Sequence, residues 1–132
     1  MQTRLLMSAS AIVMAVLGLI ATFAPQETLA ALGSTSDGLA VLLVQVAGAL
    51  YLGWAMANWM SRANLIGGIY NRPVALGNFL HCSVVALASL KLLIVGHRPP
   101  VLVGGAVVYA AFCVWFGLVL FTHPGSAAKS RD

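Results

Sequence analysis

The sequence predicts an all-α integral membrane protein, a four-helix antiparallel bundle whose N and C termini are both cytoplasmic. Of its 132 residues, 61% are hydrophobic and only 8% are charged, whereas a soluble domain carries about 25% charged residues. A soluble chain this short could not bury so much apolar surface. The apolar residues also form four long runs, and only helices and closed barrels satisfy their backbone hydrogen bonds in lipid.

The four runs define four spans within a single transmembrane domain, residues 1–132. They cover residues 5–24, 39–60, 74–95 and 101–122, each close to the ~20 residues that cross a bilayer core. The first run is longer than the apolar stretch of a signal peptide, so we interpret it as a retained helix. The first loop is the longest and favours a short interfacial helix around Glu27 to Leu32.

The basic residues lie at the ends of the runs and predict the orientation. With four spans, both termini and the middle loop share one side, which is the more basic side and therefore the cytoplasmic one. The protein is expected in the inner (cytoplasmic) membrane of a bacterium, as a multi-pass protein. The basic residues form no stripe with aromatic side chains, so a nucleic-acid partner is excluded despite the net charge of +4. The cytoplasmic set is Arg4, Arg62, Arg72, Lys129 and Arg131, against Lys91 and Arg98 on the other side.

Polar residues within the spans are the candidate functional residues. Asn78, His81 and Ser89 share one face of the third run at about 100° per residue. Depth predicts an inner polar layer of Asn58, Asn78 and His81, and an outer layer of Gln45, Ser89 and Tyr109. Two interpretations stay open. The layers either join helices by hydrogen bonds or orient an apolar ligand, such as a lipid, a quinone or an isoprenoid, in a pocket.

His81 has further chemical options, because a neutral imidazole also binds metals and haem. Haem held by two histidines needs both at one depth. His123 is offset from His81 by on the order of 10 Å along the helix axis, and His97 lies at the opposite side. No second thiol or imidazole stands at zinc-ligand spacing to His81. The expectation is no metal and no cofactor, with haem as the alternative.

The absence of catalytic motifs argues against an enzyme. No GxSxG, HExxH or P-loop is present, and no Asp or Glu lies in a span, where coupled transporters usually carry one. The predicted function is therefore non-enzymatic: an accessory or scaffold subunit of a larger membrane complex, or a binder of an apolar molecule within the bundle. The alternatives are a haem- or redox-linked membrane protein that uses His81, and a small transporter.

Two further features concern partners. Arg62 and Arg72 flank the middle loop and are predicted to contact anionic lipid headgroups, unless they serve only as topology signals. Small residues at Ala49, Gly53 and Ala57 permit close helix packing, either within the bundle or in a homo-oligomer.

The first two spans also carry a family resemblance. The segments "LGLIATFAP" and "GALYLGWAMANWM", with the number and length of the spans, resemble small bacterial four-helix membrane proteins of the DoxX-like kind, or related families of unknown function. The resemblance covers nearly the whole chain and implies a membrane-associated helical bundle. The lysine that the DoxX-like pattern places late in its first helix is absent here, so no functional residue is carried over.

Overall fold

The computed structural model describes residues 2–63 and 71–122, and these residues form five helices without a strand. Each long helix coincides with one apolar run of the sequence. The short second helix occupies the first loop, where the sequence favours an interfacial helix. The bounds are α1 Gln2–Phe23, α2 Pro25–Ala31, α3 Gly38–Ser61, α4 Asn71–Val95 and α5 Pro100–Thr122.

The four long helices have the surface of membrane spans. All four are long and apolar enough to cross a membrane, with mean hydropathies between 1.8 and 2.3. Large apolar side chains such as Leu19, Leu43, Leu80 and Phe121 remain exposed on their outer faces. A water-soluble monomer rarely leaves such large contiguous apolar patches open, so these are the features of a multi-pass membrane protein.

The helix ends follow from local chemistry. Pro25 starts α2 at a position where its missing N–H costs no hydrogen bond. Gly33 and Gly96 follow α2 and α4 with φ of 70° and 101°, a conformation that favours glycine. After each glycine, the next amide donates to a carbonyl of the last helical turn, which is the Schellman arrangement. The Asp37 carboxylate caps α3 by accepting from the Ala40 amide at 2.8 Å.

The long helices associate in two pairs. α1 packs along α3 and α4 packs along α5, whereas the pairs share few contacts with each other. The first pair crosses at Gly18 and Gly48, where a Cβ on Gly18 would lie 3.0 Å from the Gly48 carbonyl oxygen. The row of small residues predicted for α3 does not make this crossing, because Ala49 and Gly53 are exposed and no atom lies within 4 Å of a Cβ on Gly53.

The pairs meet at the end of the molecule where α1 begins. There two side chains of α1 reach the interface between α4 and α5 and complete one apolar cluster. This cluster positions the start of α4, and with it the polar residues described next. Its buried members are Leu6, Met7, Ala75, Cys82, Tyr109, Phe116 and Val119.

Candidate ligand-binding site

A pair of buried amides connects α3 to α4. Asn58 and Asn78 are both fully buried. The Asn58 Nδ2 donates to Asn78 Oδ1 at 2.9 Å, and the Asn78 Nδ2 donates back to Asn58 Oδ1 at 2.6 Å. Two facing amides that exchange both bonds form a specific link in a region without water, where each unpaired polar atom is costly.

The surrounding groups satisfy the rest of this amide layer. Asn58 Nδ2 also donates to the Ser10 hydroxyl at 3.0 Å, and Asn78 Nδ2 donates to the Val74 carbonyl at 2.9 Å. The indole Nε1 of Trp54 donates to Asn78 Oδ1 at 3.0 Å. Both hydrogens of each amide therefore have an acceptor within the chain. The amide layer fits the interpretation that polar residues join the helices, and it leaves no amide hydrogen for a ligand.

Beyond the amide layer, α3 and α4 separate and leave a groove of about 600 Å³. Gly77 shapes one end, because a Cβ there would lie 2.7 Å from Cζ2 of Trp54. The absence of that Cβ lets the indole lie against the α4 backbone. The lining is almost entirely apolar and contains no charged side chain. It consists of Ala47, Leu50, Tyr51, Trp54, Gly77, Leu80, His81 and Val84.

An aromatic cluster lies behind the groove. The Tyr109 hydroxyl donates to the Tyr51 hydroxyl at 2.7 Å, which ties α5 to α3. The His81 ring packs edge to face between them, with centroids 5.4 Å from Tyr51 and 5.6 Å from Tyr109. Such edge-to-face pairs are favourable beyond their buried area. The two tyrosine rings therefore restrict the orientation of the His81 ring.

The ring nitrogens of His81 have no hydrogen-bond partner among the described residues. Nε2 is enclosed and unpaired. Nδ1 also makes no hydrogen bond with a described residue, but unlike Nε2 it is not enclosed by the protein. His81 lines the groove, and Nδ1 is its accessible ring nitrogen. The Tyr51 hydroxyl accepts from Tyr109, and its own hydrogen has no acceptor in the described part of the chain.

The structure groups the predicted site residues differently from the two predicted layers. His81 lies with Tyr51 and Tyr109 rather than with the asparagines. The Gln45 amide is exposed and donates to the Thr22 carbonyl at 3.4 Å. Gln45 precedes Gly48 by three residues, so it lies on the face of α3 that meets α1 and cannot join Tyr109. Ser89 is buried on α4, and in the described part of the chain it forms no hydrogen bond with Gln45 or Tyr109 that would make an outer layer.

Three residues of the site are not among the sequence candidates. Trp54 lies one turn before Asn58 on α3, and Tyr51 lies near mid-span. The sequence indicates that both aromatic residues face protein, lipid or a ligand at that depth, although neither is among the predicted site residues. Ser10 has no comparable signal, because small hydroxyl residues are common in membrane helices.

The predicted headgroup residues lie at the ends of α3 and α4. The Arg62 guanidinium stacks on Trp59, with its central carbon 3.3 Å from the ring centroid, a cation–π contact. Arg72 is exposed near the start of α4. Contact of either with a headgroup stays a prediction. Lys129 and Arg131 lie outside the described residues.

The metal and haem options involve the other histidines. Across residues 2–63 and 71–122, no three His, Cys, Asp or Glu side chains lie together as a metal site. His97 is engaged elsewhere, with its Nε2 2.7 Å from the Leu32 carbonyl oxygen. His123, the other candidate haem ligand, lies outside the described residues.

No family model, curated protein or solved structure matches the chain. The resemblance to DoxX-like proteins therefore stays a prediction, and the argument for function rests on the groove and the residues around it.

Proposed function

We propose that this chain is a non-enzymatic membrane protein that binds an apolar molecule, such as a lipid, a quinone or an isoprenoid, in the groove between α3 and α4. The observation that carries the proposal is the groove itself, about 600 Å³ in volume and lined by apolar and aromatic side chains. Ligand pockets typically have ~300–1,000 Å³ and combine such a lining with a few polar groups. His81 and Tyr51 supply those groups here.

The contrast with the other helix contacts supports this assignment. α1 and α3 approach so closely that a Cβ on Gly48 would lie 2.8 Å from the Thr22 backbone nitrogen. In the open groove of the same molecule, the side chains of the walls lack the dispersion contacts that close packing would provide. A bound molecule restores them, and an elongated lipophile has the shape to enter sideways from the bilayer.

The proposal places the chain in a bacterial inner membrane as an antiparallel bundle with cytoplasmic termini. Its support is the distribution of basic residues between the two sides. Labelling of intact cells with a membrane-impermeant maleimide tests the orientation. Ser36→Cys, in the exposed loop before α3, should react. Ala63→Cys, exposed just after α3, should react only in opened cells. The reverse pattern would invert the topology.

Native mass spectrometry of protein extracted in a mild detergent tests the binding function. The wild-type protein should carry a stoichiometric adduct. Val84→Trp fills the groove from its wall and should remove the adduct. Leu87→Trp is the matched control, because Leu87 is also an exposed apolar residue of α4 but does not line the groove. An adduct of equal intensity in all three proteins would refute the groove as its site.

Further measurements on the purified protein distinguish the other candidate functions. A co-purifying protein on an apo chain would favour an accessory or scaffold subunit. A Soret band that His81→Ala removes would favour the haem alternative. Substrate flux into proteoliposomes would favour a small transporter.

A further inference from the structure

The groove also specifies the chemistry of its ligand, an inference that rests on the proposed binding function. The starting point is depth. Tyr51, His81 and Tyr109 each lie near the middle of their helices, so in a bilayer they lie about 15 Å from either edge of the hydrocarbon core. A phospholipid headgroup stays at the interface. A hydrogen-bonding group that reaches His81 must therefore belong to a molecule able to bring a polar atom to mid-membrane.

The charges around the groove restrict the chemical class of the ligand further. Among the described residues, no acidic or basic side chain lines the groove. An ionised ligand group at this depth would be desolvated without a partner of opposite charge, which is expensive in a bilayer core. The ligand is therefore uncharged.

The histidine tautomer selects the polar group of the ligand. Nε2 is enclosed without a partner, and the His81 ring meets Tyr51 and Tyr109 edge to face. An N–H at Nε2 can point at an aromatic face and gain a weak hydrogen bond. A bare lone pair there would stay unsatisfied. The proton thus belongs on Nε2, which leaves Nδ1 at the groove as an acceptor that requires a donor.

We infer that the α3–α4 groove binds an uncharged lipophile with a hydroxyl group, and that this hydroxyl donates to Nδ1 of His81 at mid-membrane. The hydroxyl oxygen is then free to accept, and the unused hydrogen of Tyr51 is available in the same aromatic cluster. A ketone or a hydrocarbon of the same shape lacks the donor.

A matched set of probes tests the inference on the whole protein in nanodiscs. Pentadecan-2-ol, pentadecan-2-one and pentadecane share one carbon skeleton and differ only in the polar group. Titrations followed by native mass spectrometry should give the alcohol about fivefold tighter apparent binding than the other two, as expected for one net hydrogen bond. His81→Phe keeps an aromatic ring between the tyrosines and should abolish only the alcohol's advantage.

The possible outcomes distinguish failure of the proposed groove function from failure of the hydroxyl requirement alone. Tighter binding of the ketone than of the alcohol would overturn the inference, because the ligand would then bind as a hydrogen-bond acceptor and not as a donor to Nδ1. Equal binding of all three probes, lost in Val84→Trp, would retain the groove as a lipid-binding site and overturn the hydroxyl requirement. Binding of no probe would refute the groove function together with the inference. The wild-type series decides these outcomes even if His81→Phe does not fold.

Discussion

The two sides of α3 are packed in opposite ways. Towards α1, the backbones touch at Gly18 and Gly48, and a Cβ on Gly48 would lie 2.5 Å from Thr22 Oγ1. Towards α4, the helices meet at the buried pair Asn58 and Asn78 and then separate around the groove. On the α1 side of α3, the helices are in close contact along their crossing. On the α4 side, they are in close contact only at the layer of Asn58 and Asn78.

This difference separates the residues that hold the molecule together from those available to a ligand. Membrane helices have no hydrophobic driving force towards each other, so close packing and hydrogen bonds must supply their association. The α1 side and the amide layer supply both. The groove side contributes little packing and leaves the ring nitrogens of His81 and the hydroxyl hydrogen of Tyr51 without partners among the described residues. Stability should therefore depend on the first set and binding on the second.

Gly48→Ala should reduce the free energy of unfolding the most, because it adds a methyl group at the close contact between α1 and α3. The new methyl group would meet backbone atoms of Thr22 and Gly18 at 2.8 and 3.0 Å, which cannot rotate away. Overpacking of this kind costs about 1–3 kcal/mol, and we expect the upper part of that range. Reversible unfolding in mixed micelles measures the loss of unfolding free energy.

Gly53→Ala is the matched control for that experiment. It makes the same chemical change on the same helix, but nothing lies within 4 Å of the new methyl group. Its stability should equal or slightly exceed that of the wild type, because alanine favours the helix over glycine. Equal losses in both variants would show that the Gly48 crossing is not a specific contact.

Asn58→Leu should rank second, because it breaks the one closed layer on the α4 side. The Asn78 amide would then be buried with one of its two hydrogens unpaired. We expect a loss of about 1–2 kcal/mol, since interhelical hydrogen bonds average ~0.6 kcal/mol and reach ~1.7 kcal/mol. The measurement is the same unfolding equilibrium.

A double-mutant cycle with Asn78→Leu sharpens this prediction. The double variant removes both amides and leaves no unpaired partner in the pair, so its loss should be smaller than the sum of the single losses. Strict additivity would mean that the two amides do not act as a pair.

Gly77→Ala should have a moderate effect at the border between the amide layer and the groove. Its methyl group would meet Cζ2 and Cη2 of Trp54 at 2.7 and 2.8 Å. The indole must shift, which strains its hydrogen bond to Asn78. We expect a loss of about 1 kcal/mol and a changed Trp54 fluorescence. Wild-type emission, measured with Trp59 and Trp115 replaced by Phe, would contradict the contact.

His81→Phe should have the smallest effect on stability, within about 0.5 kcal/mol for the delipidated protein. Neither ring nitrogen has a hydrogen bond to a described residue, and phenylalanine preserves the ring contacts with Tyr51 and Tyr109. Thermal melting without added lipid tests this expectation. A loss well above 1 kcal/mol would place His81 with the structural residues and remove the contrast between the two sides of α3.

The sequence by itself determines the spans of this protein. A bilayer requires long apolar helices, and Pro25, Gly33 and Gly96 lie at the boundaries between them, so the element bounds follow from local chemistry. The similar depth of Asn58 and Asn78 also follows from their distances to the ends of their runs. These properties depend on residues close in sequence and on the surrounding lipid.

Only the tertiary structure decides which faces meet. Apart from the face of α4 that carries Asn78, His81 and Ser89, the spans are apolar on every side, so no amphipathic stripe marks the inner faces of the other helices, as it would in a water-soluble bundle. Gly48 and Gly53 look equivalent in the sequence, yet one is at a helix crossing and the other faces outward. For the same reason, the sequence does not predict that Gln45 is separated from Tyr109 or that His81 lies between two tyrosines. Packing of whole helices sets these neighbours, because in lipid the fit between surfaces and the hydrogen bonds between them determine which faces are in contact.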